Sequence, residues 1–139
     1  MNQTAIFAPF LTMMLLTLTV WFYMYSKRIP LIQKSNINPN ALTAAELDRI
    51  SPPSVSTPSD NLKNLFELPT LFYGLVLYLF VTSKVDEAYL IAAWVFAGFR
   101  ILHSAVHCTV NIVMLRFWLY CISALALWFI VLRAALHAL

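Results

Sequence analysis

The chain has 139 residues, of which 61% are hydrophobic and only 11% charged, with a formal net charge of +3. In a soluble domain about a quarter of all residues are charged, so this composition predicts a single-domain integral membrane protein. The charge is too small to indicate a nucleic-acid partner, and the two isolated cysteines, Cys108 and Cys121, predict neither a zinc motif nor a disulfide framework.

Four apolar stretches predict four transmembrane helices, since about 20 apolar residues are needed to cross a bilayer. Backbone amides in lipid need partners within the protein, which favours helices over any β alternative. The predicted fold class is therefore an all-α integral membrane protein, a four-helix bundle in one domain over residues 1–139. The predicted spans are about 5–25, 61–82, 87–109 and 112–136.

The first two spans are separated by residues 26–60, which are polar and rich in Pro and Ser and therefore predict a loop. Within it, Thr43 followed by Glu46 fits the capping box of a short surface helix. The basic residues flanking the spans are unevenly distributed, and the positive-inside rule then places the loop in the cytoplasm and both termini outside. The compact form suits a bacterial inner membrane. The side of the membrane that holds this loop carries six basic residues, and the other side carries two, Lys84 and Arg133. The six are Lys27, Arg28, Lys34, Arg49, Lys63 and Arg116.

Polar side chains follow one face of each of the last three spans. Ionisable groups in a membrane segment usually face a bundle interior or a wet cavity, so these faces predict one polar, cationic cavity near the cytoplasmic boundary. Lys63 is also spaced to pair with Glu67 at i+4. The three faces are Asp60, Asn64 and Glu67; Arg100, His103 (or Ser104), His107 and Asn111; and Arg116, Tyr120 and Ser123.

Other interpretations of these residues remain open. Glu67 and Arg100 fit a structural ion pair between helices, and Lys63 or Arg116 fit ordinary residues that snorkel to the interface.

His103 and His107, at i and i+4, also fit two imidazole ligands of a metal or haem, with Glu67 or Cys108 as a third ligand. The sequence contains no GxSxG motif, so it does not indicate a serine hydrolase.

Two short motifs in this order, Asn64-Leu-Phe-Glu67 and Arg100-Ile-Leu-His103, resemble the MAPEG family, the membrane-associated proteins of eicosanoid and glutathione metabolism. Arg116 and Tyr120, at the start of the fourth span, extend the resemblance, which covers nearly the whole chain. It implies a homotrimer of four-helix subunits in the lipid bilayer. Glutathione then binds between subunits near the cytoplasmic face, and lipophilic small molecules approach from the bilayer.

The resemblance also implies roles for individual residues. Asn64 and Glu67 hold the peptide part of glutathione, and Arg28 contacts one of its carboxylates. Arg116 is the catalytic residue that stabilises the thiolate, and Tyr120 lies beside it. No metal is expected. With the polar faces included, the candidate glutathione-binding residues are Arg28, Lys63, Asn64, Glu67, Arg100, His103, His107 and Tyr120.

The chain departs from the family pattern at several positions. Asp60 and Lys63 stand where active members commonly carry arginines, His107 where a tyrosine is expected, and Phe117 where a hydroxyl residue is. Three functions therefore remain as hypotheses. The first is a glutathione-dependent transferase or peroxidase acting on lipophilic electrophiles. The second is a non-catalytic trimer that binds lipid or a partner protein, and the third is a metal- or haem-binding helical bundle.

Overall fold

The computed structural model describes residues 2–138, apart from the Pro39 side chain, and this part of the chain contains helices and no strand. Short 3-10 turns cover Gln3–Ile6 and Pro39–Ala41. The α-helices are α1 (Phe7–Lys34), α2 (Ala44–Ile50), α3 (Pro53–Asn64), α4 (Leu68–Val81), α5 (Glu87–Cys108) and α6 (Val113–Leu136).

Within residues 2–138, four helical segments are long and apolar enough to cross a membrane. α5 and α6 lie where the sequence predicts the third and fourth spans, and α3 with α4 forms the second segment. The predicted all-α, four-helix membrane fold is confirmed. The segments are Gln3–Lys34, Pro53–Val81, Glu87–Cys108 and Val113–Leu136.

The loop between the first two spans is shorter than the sequence predicts. α1 continues through the polar residues as far as Lys34, and α3 begins at Pro53, whose fixed φ suits a first helical position. The polar composition of residues 26–60 therefore predicts their exposure to solvent, but it does not predict whether they form helix or loop. Inside the loop α2 forms as predicted, with the reciprocal Thr43–Glu46 capping box.

The second membrane segment is interrupted between α3 and α4. α3 ends at Asn64, and Glu67 adopts a non-helical conformation (φ −89°, ψ −103°) before α4 begins at Leu68. Pro69 causes the interruption, because its ring clashes with the carbonyl four residues earlier, that of Leu65, and it lacks an N–H. The prediction that Glu67 shares a helical face with Asp60 and Asn64 is therefore wrong.

α5 is the central helix of the bundle and packs against α1, α3 and α6. Its middle part carries small buried residues, Ala93 and Ala97, which let neighbouring helices approach closely. Phe96 stacks on Phe72 of α4, with ring centroids 4.6 Å apart. This packing turns one face of α5 inward along its whole length, including the polar residues of its C-terminal half.

An ion pair joins the N-terminal end of α5 to the C-terminal end of α6. Both oxygens of Asp86 accept hydrogen bonds from the Arg133 guanidinium at 2.7 Å, and Asp86 Oδ1 also caps α5 by accepting from the Tyr89 amide. The Arg133 guanidinium lowers the pKa of Asp86 from 3.8 to about 2. A carboxyl group whose pKa falls on folding stabilises the protein above its unfolded pKa. That stabilisation is lost as the pH falls through about 2.

Asp86→Asn is expected to lower the free energy of unfolding by about 1 kcal/mol near neutral pH, because the pair is partly exposed to solvent. Asparagine still caps α5, so only the ion pair is lost. The difference from the wild type should shrink as the pH falls from 3.8 towards about 2. Circular dichroism of thermal unfolding in detergent at a series of pH values measures this. Glu87→Gln, at the neighbouring exposed carboxylate, is the control, and a pH-independent difference for Asp86→Asn would contradict the assignment.

Candidate functional site

The polar residues of α5 lie inside the bundle. Arg100 is fully buried, and His103 and His107 are each 3% exposed. Buried polar groups in a bundle are normally satisfied by neighbouring helices or by a ligand. The neighbours of this face are α3 on one side and α6 on the other, so α5 positions the site between them.

Arg100 bonds to the end of the interrupted helix and not to Glu67. Its Nη2 donates to the Asn64 carbonyl at 2.6 Å, and its guanidinium lies 5.5 Å from the centre of the Tyr120 ring. The carbonyl is free because α3 ends there, and a cation at a helix C-terminus is favourable. No ion pair joins Glu67 to Arg100 within residues 2–138, and Glu67 is exposed. The interhelical ion pair considered from the sequence is therefore wrong for the single chain.

Lys63 does not pair with Glu67 either. Its Nζ lies 3.0 Å from Asp60 Oδ1, one turn earlier in α3, and both side chains are exposed. The i+4 geometry requires a continuous helix from Lys63 to Glu67, and α3 stops between them. The predicted partner of Lys63 is wrong for the same physical reason as the predicted helical face.

One cleft opens beside Arg116 between α3, α5 and α6, with a volume of about 210 Å³. Arg116 Nη1 donates to Asn111 Oδ1 at 2.6 Å. Asn111 lies in the α5–α6 turn with a positive φ of 48°, a conformation that asparagine tolerates well. His103 Nδ1 bonds to the Arg116 carbonyl at 3.0 Å. This Arg116 cleft is lined by Asn64, His103, Val113, Arg116, Phe117 and Tyr120.

A second cleft, of about 430 Å³, opens beside Arg28 between α1, α2 and α3. Arg28 Nη2 donates to the hydroxyl of buried Ser59 at 2.8 Å, while its Nε has no hydrogen-bond partner in the described part of the chain. The short helix α2 forms one wall, although each of its residues is at least partly exposed. This Arg28 cleft is lined by Met24, Tyr25, Arg28, Ala44, Leu47, Asp48, Ser59, Leu62, Lys63 and Phe66.

The structure divides the predicted site residues into three groups. Arg28 and Lys63 line the Arg28 cleft, and Arg100, His107 and Glu67 line neither cleft. The remaining four line the Arg116 cleft, namely Asn64, His103, Arg116 and Tyr120. A single chain therefore does not bring all the candidates into one cavity.

Sequence reasoning missed the polar link that holds α3 against α5. Asn61 is fully buried, accepts a hydrogen bond from Ser104 at 3.2 Å and donates to the Cys108 sulfur at 3.4 Å. This link fixes the depth of α3 and so the position of Asn64 in the cleft. An asparagine and a serine on two adjacent predicted membrane helices were the available signal. Ser59 and Asp48, which line the Arg28 cleft, belong to no sequence pattern that would have indicated a site.

The metal-binding hypothesis lacks a third ligand. The His103 and His107 rings lie 5.6 Å apart at 84°. Cys108 bonds to Asn61 instead, and Glu67 is exposed at the helix interruption. Across residues 2–138 there is no group of three or more His, Cys, Asp or Glu side chains that could hold a metal ion.

The sequence of the chain was also compared with known proteins. The model of the MAPEG family matches residues 5–136. No curated protein and no solved structure matches the chain. The family match spans every helix and both clefts, and it includes every candidate site residue.

Proposed function

Because this chain belongs to the MAPEG family, we propose that this multi-pass integral membrane protein is a glutathione-dependent transferase or peroxidase acting on lipophilic electrophiles. The observation that carries the proposal is the Arg116 cleft. It combines a half-buried guanidinium, oriented by Asn111, with polar groups from α3 and α5. Bound glutathione supplies a thiol, the nucleophile for such reactions.

Arg116 supplies the electrostatic part of the mechanism. A thiol with a pKa of about 8.5 is mostly protonated at neutral pH, and a nearby guanidinium favours its thiolate form. The Asn111 contact at 2.6 Å holds the guanidinium in one orientation before a ligand arrives. In a half-buried cleft the attraction is screened less than in water. Arg116 is therefore the residue to which we assign thiolate stabilisation.

The two clefts support a site shared between subunits. Pockets for drug-sized ligands have volumes of about 300–1,000 Å³, whereas the Arg116 cleft has about 210 Å³. It encloses only part of a tripeptide, and Arg28 opens on another side of α3. We therefore propose a homotrimer in which the Arg28 cleft of one copy adjoins the Arg116 cleft of the next. Arg28 suits a ligand carboxylate, and the exposed carboxylate of Glu67 suits an amino group.

The rim of the Arg116 cleft gives lipophilic substrates a route from the bilayer. Val113 is 60% exposed and Phe117 52% exposed, and both line the cleft. On a helix that spans a membrane, such apolar side chains are compatible with lipid. A substrate dissolved in the bilayer then reaches Arg116 without crossing water, and proximity to the thiolate lowers the barrier further.

The orientation in the membrane follows from the basic residues and forms part of the proposal. Arg28, Lys63 and Arg116 belong to the side that carries most of the cations, so the positive-inside rule places both clefts at the cytoplasmic face. Cytoplasmic glutathione then has access to them. We place the protein in a bacterial inner membrane, with both termini outside.

Glutathione binding is tested by the thermal stability of the detergent-solubilised oligomer. Millimolar glutathione is expected to raise the melting temperature of the wild type through preferential binding to the folded state. Arg28→Ala is expected to abolish most of that shift, because the carboxylate contact is lost. Lys27→Ala is the matched control, since the exposed Lys27 lies over the Tyr23 ring, 5.3 Å from its centre, and lines neither cleft. An unchanged melting temperature for the wild type would contradict the proposal.

A second candidate function is favoured by the Asp60–Lys63 pair. These side chains neutralise each other beside the Arg28 cleft, which removes one cation that a ligand carboxylate would otherwise use. A non-catalytic trimer that binds lipid or a partner protein through the same clefts accommodates this observation. A stable trimer whose melting temperature does not respond to glutathione would support it.

A further inference from the structure

A third depression of the surface lies between α1 and α5. It has a volume of about 300 Å³ and shares no lining residue with the Arg28 cleft or the Arg116 cleft. It follows two turns of each helix, from position 16 to 23 and from 101 to 109, which is about 10 Å at 1.5 Å per residue. We call it the α1–α5 groove, and its walls include Leu16, Val20, Tyr23, Ile101, Ala105 and Cys108.

The α1–α5 groove has the shape and polarity of a site for a hydrocarbon chain. The hydroxyl of Thr19 already donates to the Leu15 carbonyl at 2.8 Å, and that of Thr109 to the Ala105 carbonyl at 2.6 Å. A volume of 300 Å³ spread over about 10 Å leaves a cross-section of about 30 Å². That admits a hydrocarbon chain but not a further helix, whose diameter is about 10 Å. Both helices belong to membrane-spanning segments, so the groove is open to the acyl chains of lipids.

A lysine lies at the end of the α1–α5 groove that is nearest the loop between the first two spans. Tyr23 forms the wall at this end, and the Lys27 ammonium lies over the Tyr23 ring, 5.3 Å from its centre. Lys27 is exposed and forms no ion pair within residues 2–138, so its charge is available to an external anion. Trp21 and Tyr25, with ring centroids 4.8 Å apart, flank this position, and such aromatic side chains are typical of the headgroup level. The cation is therefore placed where the groove meets the lipid headgroups.

We propose that the α1–α5 groove binds an anionic phospholipid, with one acyl chain along the groove and the phosphate beside Lys27. The apolar walls hold the chain, and the lysine favours a headgroup with a net negative charge, because a cation near the membrane surface attracts anionic lipid. The lipid lies outside both clefts. Its binding is therefore independent of whether glutathione binds.

Native mass spectrometry of the detergent-solubilised protein tests the headgroup contact. The probes are phosphatidylglycerol and phosphatidylcholine with identical acyl chains. The wild type is expected to bind phosphatidylglycerol about fivefold more tightly, the contribution of one lysine near a membrane surface. Lys27→Gln should bind the two lipids equally. Lys34→Gln, which removes an exposed cation from the last turn of α1, is the matched control and should keep the preference.

Ala105→Phe tests the chain contact by filling the α1–α5 groove. It is expected to weaken the binding of both lipids about tenfold, which corresponds to the loss of roughly two buried CH₂ groups. Ala135→Phe, at an exposed alanine of α6 that lines neither the groove nor the clefts, is the control and should leave lipid binding unchanged.

Photo-crosslinking with a phosphatidylglycerol that carries a diazirine in one acyl chain locates the lipid. Label is expected in residues 16–23 and 101–109 of the wild type and should be lost in Ala105→Phe. Equal labelling of the exposed face of α6 would overturn the proposal, as would an unchanged headgroup preference in Lys27→Gln or unchanged lipid binding in Ala105→Phe. Binding of glycerol phosphate with the same dependence on Lys27 would overturn it in favour of an anion site without a chain. Loss of the oligomer in Ala105→Phe would overturn it in favour of a contact between subunits.

Discussion

Arg116→Ala is expected to lower the rate of glutathione conjugation by about a hundredfold or more, the usual effect of removing one preorganised electrostatic group. The physical reason is the loss of the only guanidinium that lines the described Arg116 cleft. Product formation with styrene oxide measures transferase activity, and reduction of cumene hydroperoxide measures peroxidase activity. The thermal shift with glutathione should also decrease, since in the proposed function the thiolate is part of what the site binds.

Two further variants make the Arg116 prediction specific. Arg116→Lys keeps the charge but not the planar fork that Asn111 orients, so an intermediate rate is expected. Arg49→Ala removes an exposed cation of α2 that lines neither cleft, and its rate should equal that of the wild type. An Arg116→Ala protein that retains more than half of the wild-type rate would exclude thiolate stabilisation by this residue.

Arg100→Ala is expected to lower the free energy of unfolding by about 3 kcal/mol. A charge-assisted hydrogen bond contributes roughly 1.5–3 kcal/mol, and truncation of a large buried side chain costs roughly 2–5 kcal/mol. Relief of the buried charge offsets part of this loss. The offset is incomplete, because the C-terminal carbonyl of α3 and the Tyr120 ring compensate part of the charge, although Nε and Nη1 of Arg100 have no hydrogen-bond partner in the described part of the chain.

Unfolding by a denaturing detergent, followed by circular dichroism, measures the Arg100 effect. Arg100→Gln can still donate to the Asn64 carbonyl and should be less destabilised than Arg100→Ala. Arg49→Ala, which removes an exposed arginine, should change stability by less than about 0.5 kcal/mol. A more stable Arg100→Ala protein would show that the desolvation of the charge outweighs the bond that it makes at the end of α3.

Several features of this protein follow from the sequence alone. Hydrophobic length predicted the four spans, since crossing a bilayer sets a minimum number of apolar residues. Helical periodicity predicted that Arg100, His103 and His107 share one buried face of α5. The capping box at Thr43 was also predicted, because all of its contacts lie within four residues. Each of these properties depends on neighbours along the chain.

The partners of the polar residues were decided only by the tertiary structure. The interruption before Pro69 takes Glu67 off the face of α3 and frees the Asn64 carbonyl, and Arg100 binds that carbonyl in place of a carboxylate. Arg28 and Arg116 also lie in two separate clefts, one between α1, α2 and α3 and the other between α3, α5 and α6. Helical periodicity predicts the face on which a side chain lies. It does not predict a break in the backbone or the distance between two helices, and these decide which groups meet.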